Sequence, residues 1–547
     1  MNARTIRRLS LPVLAAVVLF SAPAAAVPLV AAPAGTVTGS EAKGVRVFKG
    51  IPYAAPPVGK LRWAPPQPAL AWDGARDATR FGAACLQPKP RGPSIYGWDL
   101  PAMSEDCLSL NIWAPEDAAN APVFVWIHGG ALTSGSGGDP LYDGSALAAR
   151  GIVVVSINYR LGALGWLAHP ALSAESVDGV SGNYGLLDQI AALQWVKRNI
   201  GAFGGSAGNV TIAGESAGAL SVMYLMTAPQ ARGLFHKAVA QSAYMVSAPA
   251  LRGALNGMVP AETQGADLAA KLGAADLAAL RAMPAEEIAE KAPATGYFPF
   301  PVIDGQVVPR QLVDSFDRNE QAAVPILAGF NAGEIRSLRF LLPKPPAGVA
   351  AYEAAVRTGY GDLAGAFLAR YPAKAIEESM LAATRDAMYG WTSERLVSNQ
   401  AALGQGAYYY YFDHGYPAMQ EWNLHAFHAA ELPYVFGTAG RTPPLWPKIP
   451  DSLTERKLAG AMGDYWASFA ATGIPRAKDA PDWPSYADGR GYLHFAGAPR
   501  AGRNLFPGAA ALHEAVVCRR RAAGDIPWNW NVGVASPPLP PKAEGCQ

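Results

Sequence analysis

Gly214-Glu215-Ser216-Ala217-Gly218 sets one hydroxyl among small residues, directly after the apolar run 210–213 and before a helical run that begins near Ala219. Ser216 in that setting suits nucleophilic attack on an acyl group. The attack needs a serine projecting from a strained strand-to-helix turn, a base to take its proton, and donors for the oxyanion. Flanking glycines permit the backbone crowding that such a turn imposes. A second Gly-rich turn, His128-Gly129-Gly130-Ala131, follows the apolar run 123–127. The backbone N–H groups of Gly130, Ala131 and Ala217 are therefore the candidate oxyanion donors, and His128 is expected to shape the turn rather than to transfer protons.

The elements that must hold these turns are legible as continuous Val/Ile-rich runs at 123–127, 152–157 and 210–213, bounded by glycine. Such runs read as strands buried on both faces of a sheet. Between the second and third lies a stretch with helical spacing, Leu186 to Ile200, with Gly201 as its expected stop. Alternating strands and helices argue for an α/β architecture. An Ala-rich stretch from about Ala248 to Ala323 reads as an inserted helical region, followed by a strand at 325–329. A second helical stretch, about 348–402, precedes the aromatic strand 408–412. No repeat or flexible linker divides the chain, so residues 27–547 are expected to form a single domain.

Charge and composition narrow the classes of function. With 45 basic and 43 acidic residues in 547, the chain has a formal charge of +2 and no basic run beyond its first residues, so a nucleic-acid partner is not expected. Arg4, Arg7 and Arg8 precede an apolar stretch from Leu9 to Phe20, and Ala24-Ala25-Ala26 offers a small-residue cleavage site. Residues 1–26 therefore read as an export signal and the product as secreted or periplasmic. An apolar stretch of roughly a dozen residues is too short for a stable membrane anchor, which needs about 20. Cys85, Cys107, Cys518 and Cys546 form an even count in two close pairs, which in an exported chain suggests two local disulfides rather than a metal site. Four cysteines allow three pairings, and proximity alone does not choose among them.

Taken together, longer segments resemble the type-B carboxylesterase and cholinesterase family over nearly the whole mature chain. FGGSAGNVTIAGESAG, from Phe203 to Gly218, is similar to the family's serine signature, and EDCLSLNIW, from Glu105 to Trp113, to its second signature. FKGIPYAAPPVGKLRW, YDGSALA, NYRLGALGWLA and GNYGLLDQIAALQWVKRNI are similar to further family segments. The resemblance implies the α/β-hydrolase fold: a large, mixed, mostly parallel sheet flanked by helices, with inserted helical regions. It also implies a serine carboxylesterase that acts on small-molecule esters without a cofactor.

Site residues follow from the same resemblance. It places the acid at Glu334 in Gly329-Phe330-Asn331-Ala332-Gly333-Glu334, although Gly333 stands where the family often has an acidic residue. It places the base at His428, in the segment HAAELPYVFG. The resulting order Ser216, Glu334, His428 is the α/β-hydrolase order. It also implies a Cys85–Cys107 pairing, which leaves Cys518 and Cys546 by elimination and proximity. His425, His428 and Glu431, at three-residue steps, would share a face if helical and could then bind a metal. The H-E-x-x-H arrangement of a metallohydrolase is missing, and no metal is expected. Trp98 lies close to where cholinesterases carry a tryptophan for a cationic substrate, but one residue out of register, so a pocket-lining or buried aromatic is the expectation. Arg336 and Arg339, just after Glu334, would favour anionic esters if they reach the pocket mouth, and otherwise sit on a solvated helical face or pair with surface carboxylates.

Overall fold

Strands without polar interruption need cover on both faces, and here they form the middle of an 11-stranded sheet. The computed structural model describes Met1 and residues 27–90, 92–100, 102–529 and 532–546; the export segment assigned to residues 1–26 otherwise lies outside them. Numbered in chain order within this sheet, the strands are β1 (Ser40–Ala42), β2 (Val45–Pro52), β3 (Ser109–Pro115), β4 (Ala121–Ile127), β5 (Val153–Ile157), β6 (Gly205–Glu215), β7 (Lys237–Gln241), β8 (Ile326–Asn331), β9 (Ala407–Phe412), β10 (Gly491–Ala496) and β11 (Ala498–Arg503). Their spatial order is β11-β10-β9-β8-β7-β6-β4-β5-β3-β2-β1.

From β5 across to β10 every neighbouring pair is parallel, and only the two edges are antiparallel. Parallel pairing puts the ends of β4, β6, β8 and β9 on one side of the molecule. Strand order reverses where β4 sits between β5 and β6, and in an open α/β sheet the crevice outside the strand ends at such a point is where ligands bind. Val123 to Ile127 and Val153 to Val155 are fully buried, so the sheet that carries these ends is rigidly packed.

Expected elements appear with shifted ends. The helix expected at 186–200 spans Tyr184–Asn199, and a 3₁₀ turn over Ile200–Phe203 carries it past Gly201. The stop is Gly204, at φ 87°. A Cβ there would meet Ala118 O at 2.2 Å, so close contact as well as the left-handed backbone demands glycine. Both inserted regions are helical, the first holding Ala261–Lys271, Leu277–Ala282, Ala285–Lys291 and Leu312–Asp317. In the second, Ile376–Arg385 runs through a π turn at Asp386–Gly390 into Trp391–Ala402. Disulfides join Cys85 to Cys107 and Cys518 to Cys546.

The loop after β5 is held by a buried ion pair. Arg160 donates from Nε to Asp188 Oδ2 at 2.8 Å and from Nη2 to Asp188 Oδ1 at 2.7 Å, and its backbone N–H reaches Oδ2 at 3.0 Å. The two side chains are only 4% and 0% exposed. Removing one partner of such a pair strands the other charge away from water. Asp188→Ala is expected to destabilise the fold by about 3–5 kcal/mol, read as a lower urea midpoint; a midpoint within error of wild type would show that the Arg160 contacts to Ala64 O and the Tyr184 ring suffice.

Candidate active site

Ser216 stands between β6 and the helix Ala217–Thr227 with φ 56° and ψ −122°, a backbone conformation a non-glycine residue holds only under constraint. The constraint is contact. A Cβ on Gly214 would lie 2.4 Å from Gly218 C, and one on Gly218 would lie 2.0 Å from Ile127 O at the end of β4. Neither glycine can be replaced without moving the strand-to-helix turn off its neighbour. Ser216 N–H donates to Gln241 O at 3.0 Å, which ties the turn to the end of β7. Glu215 and Ala217 are buried, while Ser216 between them is partly open to solvent.

The turn after β4 comes against this serine. A Cβ on Gly129 would be 3.2 Å from Ser216 Cβ. Gly130 is at φ 102°, Ala131 at 54° and Leu132 at 60°, so successive left-handed residues turn their amides together. Among the described residues, the N–H groups of Gly130, Ala131 and Ala217 donate to no chain acceptor. Polar side chains hold the loop: Gly135 exchanges hydrogen bonds with Gln87, and Gly137 N–H donates to Asn158 Oδ1 at 2.8 Å. The Tyr159 hydroxyl donates to His128 O at 2.8 Å while the two rings stack 4.4 Å apart. Burial lowers the His128 pKa to about 4, which keeps the ring neutral within the loop.

Glu334 and His428 meet across the ends of β8 and β9. His428 Nδ1 lies 2.5 Å from Glu334 Oε2. The other oxygen, Oε1, accepts from Ser242 Oγ at 2.6 Å and from Asn331 N–H at 2.8 Å. Gly333, the departure from the family pattern, has a steric reason: its N–H donates to Ala426 O at 2.7 Å, and a Cβ would sit 2.6 Å from Leu424 O. The glycine lets the glutamate turn lie flat against the segment carrying His428.

Two more carboxylates surround this imidazole: Glu215, to which the sequence assigns no role, and Glu431, which it offers only as a metal ligand. Glu215 Oε1 is 3.1 Å from His428 Nε2, out of line for a hydrogen bond and without another partner, and Ser216 Oγ makes no hydrogen bond to a described residue. Glu431 is fully buried and accepts from Gln241 Nε2 at 2.8 Å and Asn331 Nδ2 at 2.6 Å. Asn331 also donates to Phe427 O at 2.8 Å. Their signal in sequence was a polar residue closing an apolar strand: Gln241-Ser242 after AVA and Asn331 after ILAGF. Burial raises Glu215 to about 8 and pushes Glu431 up. Burial pulls His428 down, but Glu215 and Glu334 outweigh it and raise the imidazole.

The remaining candidates are placed differently. The segment from His425 to Glu431 is not a helix, so the shared face imagined for His425, His428 and Glu431 does not exist; the helix begins only at Leu432. His425 Nε2 instead bonds Asp413 Oδ1 at 2.6 Å. Among the described residues no cluster suits a metal ion. Trp98 is half-buried against the core cluster that holds Phe427 and Trp446, with an indole N–H that makes no hydrogen bond. Arg336 pairs with Glu378 at 2.5 Å and Asn423 at 2.7 Å, and Arg339 pairs with Glu377. Those carboxylates, on the first turn of the helix Ile376–Arg385, meet the two charges, the alternative in which the arginines pair with surface carboxylates.

A sequence model described as the carboxylesterase family matches residues 26–508. The chain belongs to the carboxylesterase family. It is 39% identical over 474 residues to the fumonisin B1 esterase of Sphingopyxis macrogoltabida, covering 83% of each chain. It is 36% identical over 464 residues to the para-nitrobenzyl esterase of Bacillus subtilis, covering 83% of this chain and 91% of that one. A solved para-nitrobenzyl esterase structure superposes with a TM-score of 0.76 at 32% identity, over 89% of this chain and 99% of that chain. This carboxylesterase is accordingly a carboxylic ester hydrolase with the α/β-hydrolase fold.

The carboxylate cluster makes a titration prediction. Because carboxylates favour the imidazolium, the His428 ring is expected to titrate above the usual histidine value of about 6.5. Glu215→Gln removes one of them and should move the midpoint down. Histidine-selective NMR reads both; an upward shift in the variant would contradict the account.

Proposed function

We propose that this carboxylesterase hydrolyses small-molecule esters through an acyl-enzyme on Ser216, with His428 as base, Glu334 as its partner, and an oxyanion hole made by the amides of Gly130, Ala131 and Ala217. The observation that carries the reading is the 2.5 Å contact from His428 Nδ1 to Glu334 Oε2 beside a serine held in the strained turn. That contact fixes the tautomer: Nδ1 keeps its hydrogen for Glu334, and Nε2 is the nitrogen free to take a proton.

For the reaction, Nε2 turns from Glu215 toward Ser216 Oγ. The oxygen attacks the ester carbonyl carbon, its proton passes to Nε2, and the carbonyl oxygen, now negative, is met by the three free amides. Collapse breaks the bond to the alcohol oxygen, which leaves with the proton from Nε2. Water then attacks the acyl-enzyme by the same route, and the acid is released as Ser216 recovers its hydrogen. The imidazolium formed in each half is stabilised by Glu334, itself steadied by Ser242 and Asn331. The chemistry needs no cofactor.

Export completes the proposal. Residues 1–26 act as a cleaved signal, residues 27–547 fold as one domain, and the enzyme works outside the cytoplasm, in keeping with two disulfides. No helix among the described residues is long and apolar enough to cross a membrane. Ser216→Ala should lower kcat for a nitrophenyl ester by about 10⁴-fold or more while circular dichroism stays unchanged. A folded variant retaining a tenth of wild-type kcat would overturn the assignment.

A further inference from the structure

Beside His428 the wall of the site is aromatic. The Tyr389 ring is 5.4 Å from the His428 ring, and the Tyr244 ring meets Tyr389 edge-on at 6.1 Å. Tyr244 is partly open to solvent, whereas Tyr389 is only 2% exposed. The segments carrying these rings are irregular. Tyr389 lies in the π turn Asp386–Gly390, where a helix widens by a residue and its hydrogen bonding is disturbed. Tyr244 lies past the end of β7, where no neighbouring strand pairs with it.

Buried backbone groups without a ladder need other partners, and those of Met245 are both met by side chains. Met245 N–H donates to Thr392 Oγ1 at 2.9 Å. Met245 O accepts from Asn529 Nδ2 at 2.7 Å, and the same nitrogen is 3.4 Å from Ala387 O in the π turn. One amide therefore bridges the two segments that carry Tyr244 and Tyr389. Trp528 reinforces it, donating its backbone N–H to Ser247 Oγ at 2.8 Å and packing its ring against Trp391. Both Trp528 and Asn529 are buried, at 0% and 2% exposure. They belong to the tail that follows the helix Ala509–Ala523, and Cys518–Cys546 closes that tail back on the helix. The family match ends at residue 508, so this brace lies beyond it.

We infer that Asn529 is a specificity-determining positioning residue: from the disulfide-closed C-terminal tail it holds Tyr244 against Tyr389 and so limits the acyl group that fits beside His428. The inference rests on the ester-hydrolysis reading of that site. Without the bridge, the Tyr244 segment is free to give way, and bulky acyl groups gain over small ones.

The test compares kcat and KM for nitrophenyl acetate and nitrophenyl benzoate in wild type, Asn529→Ala, Tyr244→Ala and the double variant. Asn529→Ala should raise the benzoate-to-acetate ratio of kcat/KM at least fivefold, chiefly through KM for the benzoate. In the Tyr244→Ala background the same change should add nothing, because the wall it holds is gone. If Asn529→Ala does not fold, Asn529→Asp keeps the shape while losing the amide donor, and is read by the same ratio. A ratio within twofold of wild type in a folded variant, or an equal shift in both backgrounds, would overturn the inference and leave the tail a structural prop. A wild type that turns over neither ester would instead sink the underlying reading of the site.

Discussion

Contact between Gly218 and the carbonyl of Ile127 is the constraint on which the rest of the site depends. It presses the start of the serine helix against the end of β4, and Gly214 must then pack on Gly218 with no room for a Cβ on either. Between them Ser216 has no relaxed conformation to adopt, and its φ of 56° is what the geometry leaves. The same approach sets Gly129, and with it the turn that carries the free amides, beside the serine. One steric contact thus fixes the proposed nucleophile and its proposed donors relative to each other, before any hydrogen bond is counted. The stiffness needed comes from β4, β5 and β6, whose central residues are sealed from water.

The second half of the site is electrostatic. Three carboxylates and one imidazole are buried together beyond the strand ends, an arrangement that would be costly were each charge not answered. Glu334 is answered by three hydrogen bonds and Glu431 by donors from Gln241 and Asn331. Glu215 lacks a hydrogen bond at Oε1, and burial accordingly makes it hold its proton more tightly. His428 gains positive charge readily in such surroundings, which suits the proposed role of a base that becomes an imidazolium for part of each turnover.

How much of this was legible depended on whether the signal was local. The serine turn and the His128 turn declare themselves because glycine, strand and helix stand within about a dozen residues of one another. Glu334 was legible despite Gly333, and the structure gives the glycine its reason in the backbone of the histidine segment 90 residues later, a contact that spacing cannot reveal. Ser242 and Asn331 carry only the mark of a polar residue at a strand end, and Glu431 carries none beyond its place before a short helix. For Arg336 and Arg339 the sequence left two surroundings open, because their partners, Glu378 and Glu377, come from a helix about 40 residues downstream. The helix ends at Asn199 as a 3₁₀ turn takes over, which Gly201 fits, so the chain stops turning only at Gly204, where a Cβ would meet Ala118 O.

The central claim is that one turn, built by glycine contacts, brings Ser216, His428 and three free amides to bear on a single acyl group. A crystal structure of the enzyme after reaction with a fluorophosphonate tests it most directly. The account predicts phosphorus bonded to Ser216 Oγ, its oxygen about 2.7–3.1 Å from the amides of Gly130, Ala131 and Ala217, and His428 Nε2 turned from Glu215 toward the adduct. Phosphorus on another residue, or an oxygen pointing away from those amides, would contradict it.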